Sequence, residues 1–329
     1  MIPPLESMSK PEDDLLRNAK VFITGGAGFI GSHFAYELSK LANEVKVYDK
    51  LVHHNTQAEQ KPNENVELIR GDMVDFEKLN EEIEGSDFVF HLAANSNIAL
   101  SAQEPDLDYV NGQVSTYNLL KAMKNKGIRK LVYFSGSGVY GDKSTLFDEA
   151  WGPLLPVSPY GASKLGSEAW ISAFSHISGI SSWIFRPANI VGEGQTHGVA
   201  YDFVRKLRNN PHELEIHGNG LQTKSYVYID DVVSGVVRAV ASVQPHPVEV
   251  FNIASEDTIT VNEIADITAG IMGLQDVRYL YSGGSIGWKG DVSTIKLSID
   301  KLKRTGWLPS KTSKMAIELA VRWLAANLK

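Results

Sequence analysis

The chain has 329 residues, 43% of them apolar, and a formal charge of −7 without a basic run, so it can bury a full core and carries no signature for nucleic acid or an anionic membrane. It contains no cysteine, which excludes disulfides, thiolate catalysis and cysteine-bound zinc. No apolar run approaches the roughly 20 residues of a membrane helix, no histidine pair has metal-ligand spacing, and the N-terminus lacks a basic region followed by an apolar core, so a cytoplasmic protein without a metal site is expected.

Residues 1–19 are charged and proline-containing and read as a loosely held tail. A rhythm then begins. Val21–Thr24 is a short apolar strand, and Ile30, Phe34, Leu38 and Leu41 recur at helical spacing. Val45–Tyr48, Val66–Arg70, Phe88–Ala93, Leu131–Ser135 and Trp183–Arg186 repeat the apolar run, with helical segments between them. Strands alternating with helices predict an α/β fold, a doubly wound parallel sheet of Rossmann type covered on both faces. Beyond residue 190 glycine, proline and polar clusters interrupt short strands and helices, and Thr260 with Glu263 offers a capping box to a helix carrying Ile264, Ile267 and Ile271. The expected organisation is a dinucleotide-binding domain over 20–190 and a smaller substrate-binding lobe over 191–329, some of whose segments return to the first domain.

Thr-Gly-Gly-Ala-Gly-Phe-Ile-Gly, residues 24–31, lies between the first strand and the first helix. Gly25, Gly28 and Gly31 have the spacing that lets backbone approach a pyrophosphate at a helix N-terminus. An ordinary tight turn is the bland alternative, but Asp49 follows at the end of the next strand, about 20 residues on, which completes a dinucleotide fingerprint. A carboxylate there accepts from the adenosine ribose and repels a 2′-phosphate, so NAD is expected over NADP, with Lys50 able to soften the discrimination. Asp72, after the third strand, is placed for the adenine amino group; a helix cap is the competing reading.

Ser-Pro-Tyr-Gly-Ala-Ser-Lys, residues 158–164, opens a helix that puts Tyr160 and Lys164 on one face. A phenol must lose about 3 pH units of proton affinity, roughly 4 kcal/mol, to act as a base near neutrality. A nearby ammonium and a positive nicotinamide ring can supply that. Such a spacing occurs by chance in many helices and is more often a surface pair; behind a dinucleotide fingerprint it reads as the catalytic pair.

With these motifs, the chain from about Lys20 onward resembles the extended short-chain dehydrogenase/reductases. Within them it is most similar to the NAD-dependent epimerase/dehydratases of UDP-glucose 4-epimerase type, with a C-terminal half of archaeal character. The further motifs that carry the likeness are His-Leu-Ala-Ala at 91–94, Asn111, Val-Tyr-Gly at 139–141, Arg-Pro-Ala-Asn at 186–189, Lys-Ser-Tyr-Val-Tyr-Ile-Asp-Asp at 224–231 and Gly-Trp-Lys-Gly-Asp at 287–291. The resemblance implies that Leu92, Ala93 and Ala94 line the pyrophosphate and nicotinamide ribose and that Asn111 lies beneath the cofactor. Ala27, Phe29, Ile30, Lys50, Met73 and Pro187 complete the implied NAD shell. It further implies that Asn189 holds the sugar-nucleotide diphosphate, that Asp291 accepts from the nucleotide ribose, and that Val199 joins the substrate site. Lys224 stands where many relatives carry arginine and would meet the diphosphate as a point charge. The arginine usual shortly before Gly-Asp is missing, and Lys289 is the natural substitute. For both lysines a solvated surface charge is the competing reading.

Related enzymes differ in Phe-Ser-Gly-Ser-Gly-Val-Tyr-Gly, residues 134–141. By resemblance, dehydratases place an Asp-Glu pair and decarboxylases a glutamate before Val-Tyr-Gly, because elimination needs an acid and a base there. Here Gly136, Ser137 and Gly138 occupy those positions. The expected reaction is therefore 4-epimerisation of a nucleotide sugar, a UDP-hexose above all, through a transient 4-keto sugar. A dehydratase or reductase of the family, or a non-catalytic dinucleotide sensor, is the alternative. Gly136 replaces the family's catalytic Ser or Thr, and Ser137 is the expected substitute, with Ser135 in the cofactor shell. The resemblance also implies a homodimer through a four-helix bundle built from 106–126 and 159–178, with Val114, Leu119, Ala122 and Met123 shared between bundle and sheet packing.

Overall fold

The computed structural model describes residues 15–50, 63–95, 98–284, 287, 290, 292 and 294–328. Seven parallel strands form the main sheet, in the spatial order Val248–Ile253, Ser181–Pro187, Lys130–Phe134, Phe88–His91, Lys20–Thr24, Glu44–Asp49, Val66–Arg70. The chain winds outward to one edge and then back to the other, so the order reverses between Lys20–Thr24 and Phe88–His91. Ligands of open α/β sheets sit at such a reversal, beyond the carboxyl ends of the strands. The central strands are apolar on both sides because helices cover both faces: Val21, Ile23 and Phe90 join one buried cluster, Phe22, Val89 and Leu131 the other.

Most elements match the sequence reading to within a residue or two. Phe88–Ala93 is two residues too long: the strand stops at His91, since Leu92 and Ala93 turn to bond Thr24 through its carbonyl and its hydroxyl. The expected tail also ends earlier than residue 19. Leu16 and Ala19 pack into the core, and Asn18 N–H donates to the Leu41 carbonyl.

The later segments build a four-stranded sheet, Ile259–Thr260, Thr223–Lys224 and Thr294–Leu297, completed by Leu146–Phe147 from the earlier half of the chain, and two paired strand couples. Val248–Ile253 returns to the main sheet beside Ser181–Pro187. Thr260 caps Val261–Ile271 and Glu263 completes the capping box.

Candidate active site

The glycine turn is shaped by close approach. Gly25 takes φ +68°, and a Cβ there would lie 2.6 Å from the Ala93 nitrogen. At Gly31 a Cβ would lie 2.2 Å from the Gly25 carbonyl oxygen, so any side chain would push the helix Phe29–Ser39 off the turn. No side chain caps that helix, which leaves its first amides facing the turn, the arrangement that receives an anion. These residues fit a dinucleotide pyrophosphate. Asp49, at the end of its strand, accepts from Ala27 N–H at 3.1 Å through Oδ2, which brings the carboxylate beside the turn. Phe29 and Ile30 are partly buried and pack against the core.

Lys50 Nζ donates to Asn111 Oδ1 at 2.9 Å, while Asn111 Nδ2 donates to the Leu107 carbonyl. Asn111 lies in a π-helical turn, Tyr109–Val114. That turn closes on the helix Pro159–Ser178 because Gly112 has no Cβ; one would sit 1.9 Å from Ser163 Oγ. Asp72 is not a helix cap. Asp75 caps Phe76–Glu82 by accepting from Lys78 N–H, whereas Asp72 Oδ1 accepts from Val74 N–H. The Met73 side chain is buried in the core under the sheet. Leu92, Ala93 and Ala94 are partly buried at the strand end.

Ser158 caps the helix Pro159–Ser178 and Pro159 occupies its first turn, which fixes where Tyr160 and Lys164 project. Lys164 is 5% exposed and Nζ donates to the Phe134 carbonyl at 2.7 Å, directly before the loop 135–141. Burial pushes the Lys164 ammonium down to about 8, opposed by the charges of Asp108 and Glu168. Burial also pushes the Tyr160 phenol up to about 12, and Asp108 adds to the rise. The chain's own groups thus hold the proton on Tyr160; a lowering must come from a positive charge brought in with the ligands.

In the loop, Ser137 begins a 3₁₀ turn, Ser137–Tyr140, and is partly exposed. Ser135 is 3% exposed, and its Oγ has no hydrogen-bond partner among the described residues. Gly136 is extended, at φ −179° and ψ 159°, a conformation open to any residue. A Cβ there would lie 3.7 Å from Tyr160 OH, an ordinary contact.

Further along the chain, Pro187 ends its strand, buried, and Asn189 is exposed at the start of the next, its N–H donating to the Ser225 carbonyl. Lys224 lies in a strand beside Thr294–Leu297, and Val199 opens the helix Val199–Asn209. Lys289 and Asp291 lie outside the described residues.

Two buried networks carry residues without a role in the sequence reading. Thr116 Oγ1 donates to Ser167 Oγ at 3.1 Å, so His91 Nε2 must donate to Thr116 at 3.0 Å. His91 Nδ1 then accepts from Thr24 Oγ1 at 2.7 Å, and that oxygen receives Ala93 N–H. Burial, aided by the Lys164 charge, holds His91 down to about 3, so the ring is neutral. The second network joins Arg186, Glu168, Tyr140 and Asn252. His91 stands out only as part of a motif, and a buried Arg or Glu carries no sequence mark that separates it from a surface charge.

Residues 21–254 match the NAD dependent epimerase/dehydratase family. A Methanocaldococcus jannaschii protein provisionally named UDP-glucose 4-epimerase is 32% identical over 314 residues, 93% of this chain and 99% of that one. A crystal structure of a UDP-galactose 4-epimerase is 35% identical with a TM-score of 0.83, covering 94% of this chain and 100% of that one. The Thermotoga maritima UDP-glucose 4-epimerase with UDP-glucose is 31% identical with a TM-score of 0.83 over the same shares.

Proposed function

Because the chain belongs to the NAD-dependent epimerase/dehydratase family of nucleotide-sugar enzymes, we propose that it is a 4-epimerase of a UDP-hexose of the glucose/galactose type. The observation that carries this reading is the pair formed by partly buried Tyr160 and buried Lys164 beneath a loop, Ser135–Gly138, that holds no carboxylate. Dehydration needs an acid and a base at carbons 5 and 6, and this loop provides neither. Epimerisation at carbon 4 needs one group to take and return a proton there. The sugar-nucleotide enzymes to which the chain is similar, among them the Thermotoga maritima protein with UDP-glucose, support the nucleotide.

The glycine turn, Asp49 and the Leu92–Ala94 strand end would hold NAD, which when bound would supply a reversible hydride acceptor for carbon 4. Tyr160 takes the proton of the 4-hydroxyl and gives it back to the 4-keto sugar after that sugar has turned in the site. Lys164, its Nζ 5.6 Å from the Tyr160 ring centroid, adds its positive charge to that brought in with the ligands, and together they offset the burial and the Asp108 charge that keep the proton on Tyr160. Asn189 and Lys224 bind the diphosphate and keep the nucleotide fixed while the hexose rotates. A released 4-keto sugar would end the cycle, so the pyrophosphate contacts, remote from carbon 4, are what retain it.

The test is whether NAD co-purifies with the protein and whether UDP-glucose and UDP-galactose interconvert without added cofactor. Interconversion is expected. Net consumption of NADH, or loss of water from the sugar, overturns the reading.

A further inference from the structure

Asp108 ends the short helix Pro105–Asp108, directly before the π turn that carries Asn111. The residue is 2% exposed. Oδ1 accepts from Asn95 Nδ2 at 3.1 Å, and the Asp108 carbonyl accepts from Ser163 Oγ at 2.7 Å. Ser163 adjoins Lys164, so this bond fixes Asp108 against the turn of the helix that bears the pair. The second carboxylate oxygen, Oδ2, is buried with no hydrogen-bond partner among the described residues.

The charges around Tyr160 and Lys164 can be taken element by element. On their own helix, Glu168 gives both oxygens to Arg186. From the strand Phe88–His91 comes His91, neutral within its own hydrogen bonds. From Lys130–Phe134 comes the buried, uncharged Tyr133. Asp108 is the charge in this set that no cation contacts among the described residues.

We propose that Asp108 is a positioning residue for proton transfer: its carboxylate keeps the exchangeable protons on Tyr160 and Lys164 and so sets the pH range over which the pair works. This rests on the reading of Tyr160 and Lys164 as the acid–base pair. A fixed negative charge in a medium of low dielectric favours phenol over phenolate and ammonium over amine. Consistent with that, Asp108 is the largest charge opposing the effect of burial on Lys164, and it adds to the effect of burial on Tyr160. Without the charge, both protons leave at lower pH. The acid limb of the rate profile, where Tyr160 loses its proton, moves towards acid. The alkaline limb, where Lys164 is neutralised, moves the same way.

The experiment is Asp108→Asn, close in shape and still an acceptor for Asn95, with Asp108→Ser as the second variant should the first fail to fold. The holoenzyme is assayed for the pH dependence of kcat/KM in UDP-hexose 4-epimerisation. In parallel, the ultraviolet tyrosinate signal is titrated in the parent and in the variant, each against its own Tyr160→Phe counterpart. The expected result is a shift of both limbs by about one pH unit towards acid, with the Tyr160 tyrosinate appearing at lower pH. A profile that loses height with its limbs unmoved assigns Asp108 to packing alone and overturns the proposal, as does an alkaline shift. A parent protein without epimerase activity whose tyrosinate signal nonetheless shifts on Asp108→Asn sinks the proposed reaction and leaves the role of Asp108 standing.

Discussion

Arg186 and Glu168 meet through two parallel hydrogen bonds, Nε to Oε1 at 3.0 Å and Nη2 to Oε2 at 2.6 Å, with both side chains buried. Glu168 lies one turn beyond Lys164 on the helix that bears the pair, and Arg186 lies in the adjoining strand. The remaining Arg186 nitrogen, Nη1, donates to Tyr140 OH at 3.1 Å, and Tyr140 donates to Asn252 Oδ1 at 2.7 Å. The helix, the loop 135–141 and the sheet edge are thus held to one another through a single guanidinium.

Removing one partner of a buried pair leaves an uncompensated charge, so Glu168→Ala is expected to cost about 3–5 kcal/mol of stability. Chemical denaturation measures it. The double variant Arg186→Met/Glu168→Leu is expected to recover most of that loss, since apolar side chains of similar volume remove the desolvation cost as well as the attraction. A Glu168→Ala protein as stable as the parent would show that the pair is only a surface-like contact.

The sheet was legible because parallel strands covered by helices are rich in apolar residues, and six of the seven, from Val21–Thr24 to Trp183–Arg186, stand out as such runs. Val248–Ile253 was not read as a return to the sheet, since Glu249 and Asn252 interrupt its apolar run. Leu92 and Ala93 extended an apparent strand that backbone bonding to Thr24 cuts short. The π turn was hidden because its cause is tertiary, the closeness of Gly112 to Ser163. Leu119, Ala122 and Met123 have helical spacing that suits either a bundle or a sheet; they are fully buried against the sheet within the chain and leave nothing for a partner. The replacement at Gly136 has no backbone cause, since its extended φ is open to any residue.

A different face is available for self-association. Tyr117 and Trp170 are 41% and 43% exposed, and with Phe174 they form an aromatic cluster on the outer side of Ser115–Lys126 and Pro159–Ser178, the first two rings 5.1 Å apart. Exposed aromatic clusters of this kind suit an isologous dimer contact. Sedimentation at micromolar concentration is expected to give a dimer, and Trp170→Glu a monomer with an unchanged fold by circular dichroism. A monomeric parent protein would rule out this contact.

Cofactor preference follows from Asp49. Its carboxylate beside the glycine turn repels a 2′-phosphate, and Lys50, the adjacent cation, is engaged by Asn111 Oδ1. Titration is expected to show NAD bound far more tightly than NADP. Asp49→Asn should narrow the ratio by about tenfold, the equivalent of about 1.4 kcal/mol. Equal affinities in the parent protein would mean that Lys50 leaves Asn111 to neutralise the phosphate, and the discrimination argument would fail.

The loop 134–141 gives the sharpest test of the site. A hydroxyl at the position of Gly136 is what the family resemblance leads one to expect beside the sugar 4-oxygen, and a Cβ built there lies 3.7 Å from Tyr160 OH. Gly136→Ser therefore fits without a clash, and at φ −179° without backbone strain. In the natural chain Ser137 is the nearer candidate to meet substrate, because it is partly exposed, whereas Ser135 is buried and adjoins the carbonyl that Lys164 bonds. Loss of one donor to a developing oxyanion costs on the order of 10²–10³ in rate. Ser137→Ala is expected to lower kcat by about that factor, Tyr160→Phe nearly to abolish it, and Gly136→Ser to preserve or raise it. Ser135→Ala should act on NAD retention more than on kcat. If Ser137→Ala is silent while Gly136→Ser gains activity, the natural enzyme works without this hydroxyl and Tyr160 carries the proton alone. If Tyr160→Phe is as active as the parent, the pair is not catalytic, and the proposed reaction falls with it.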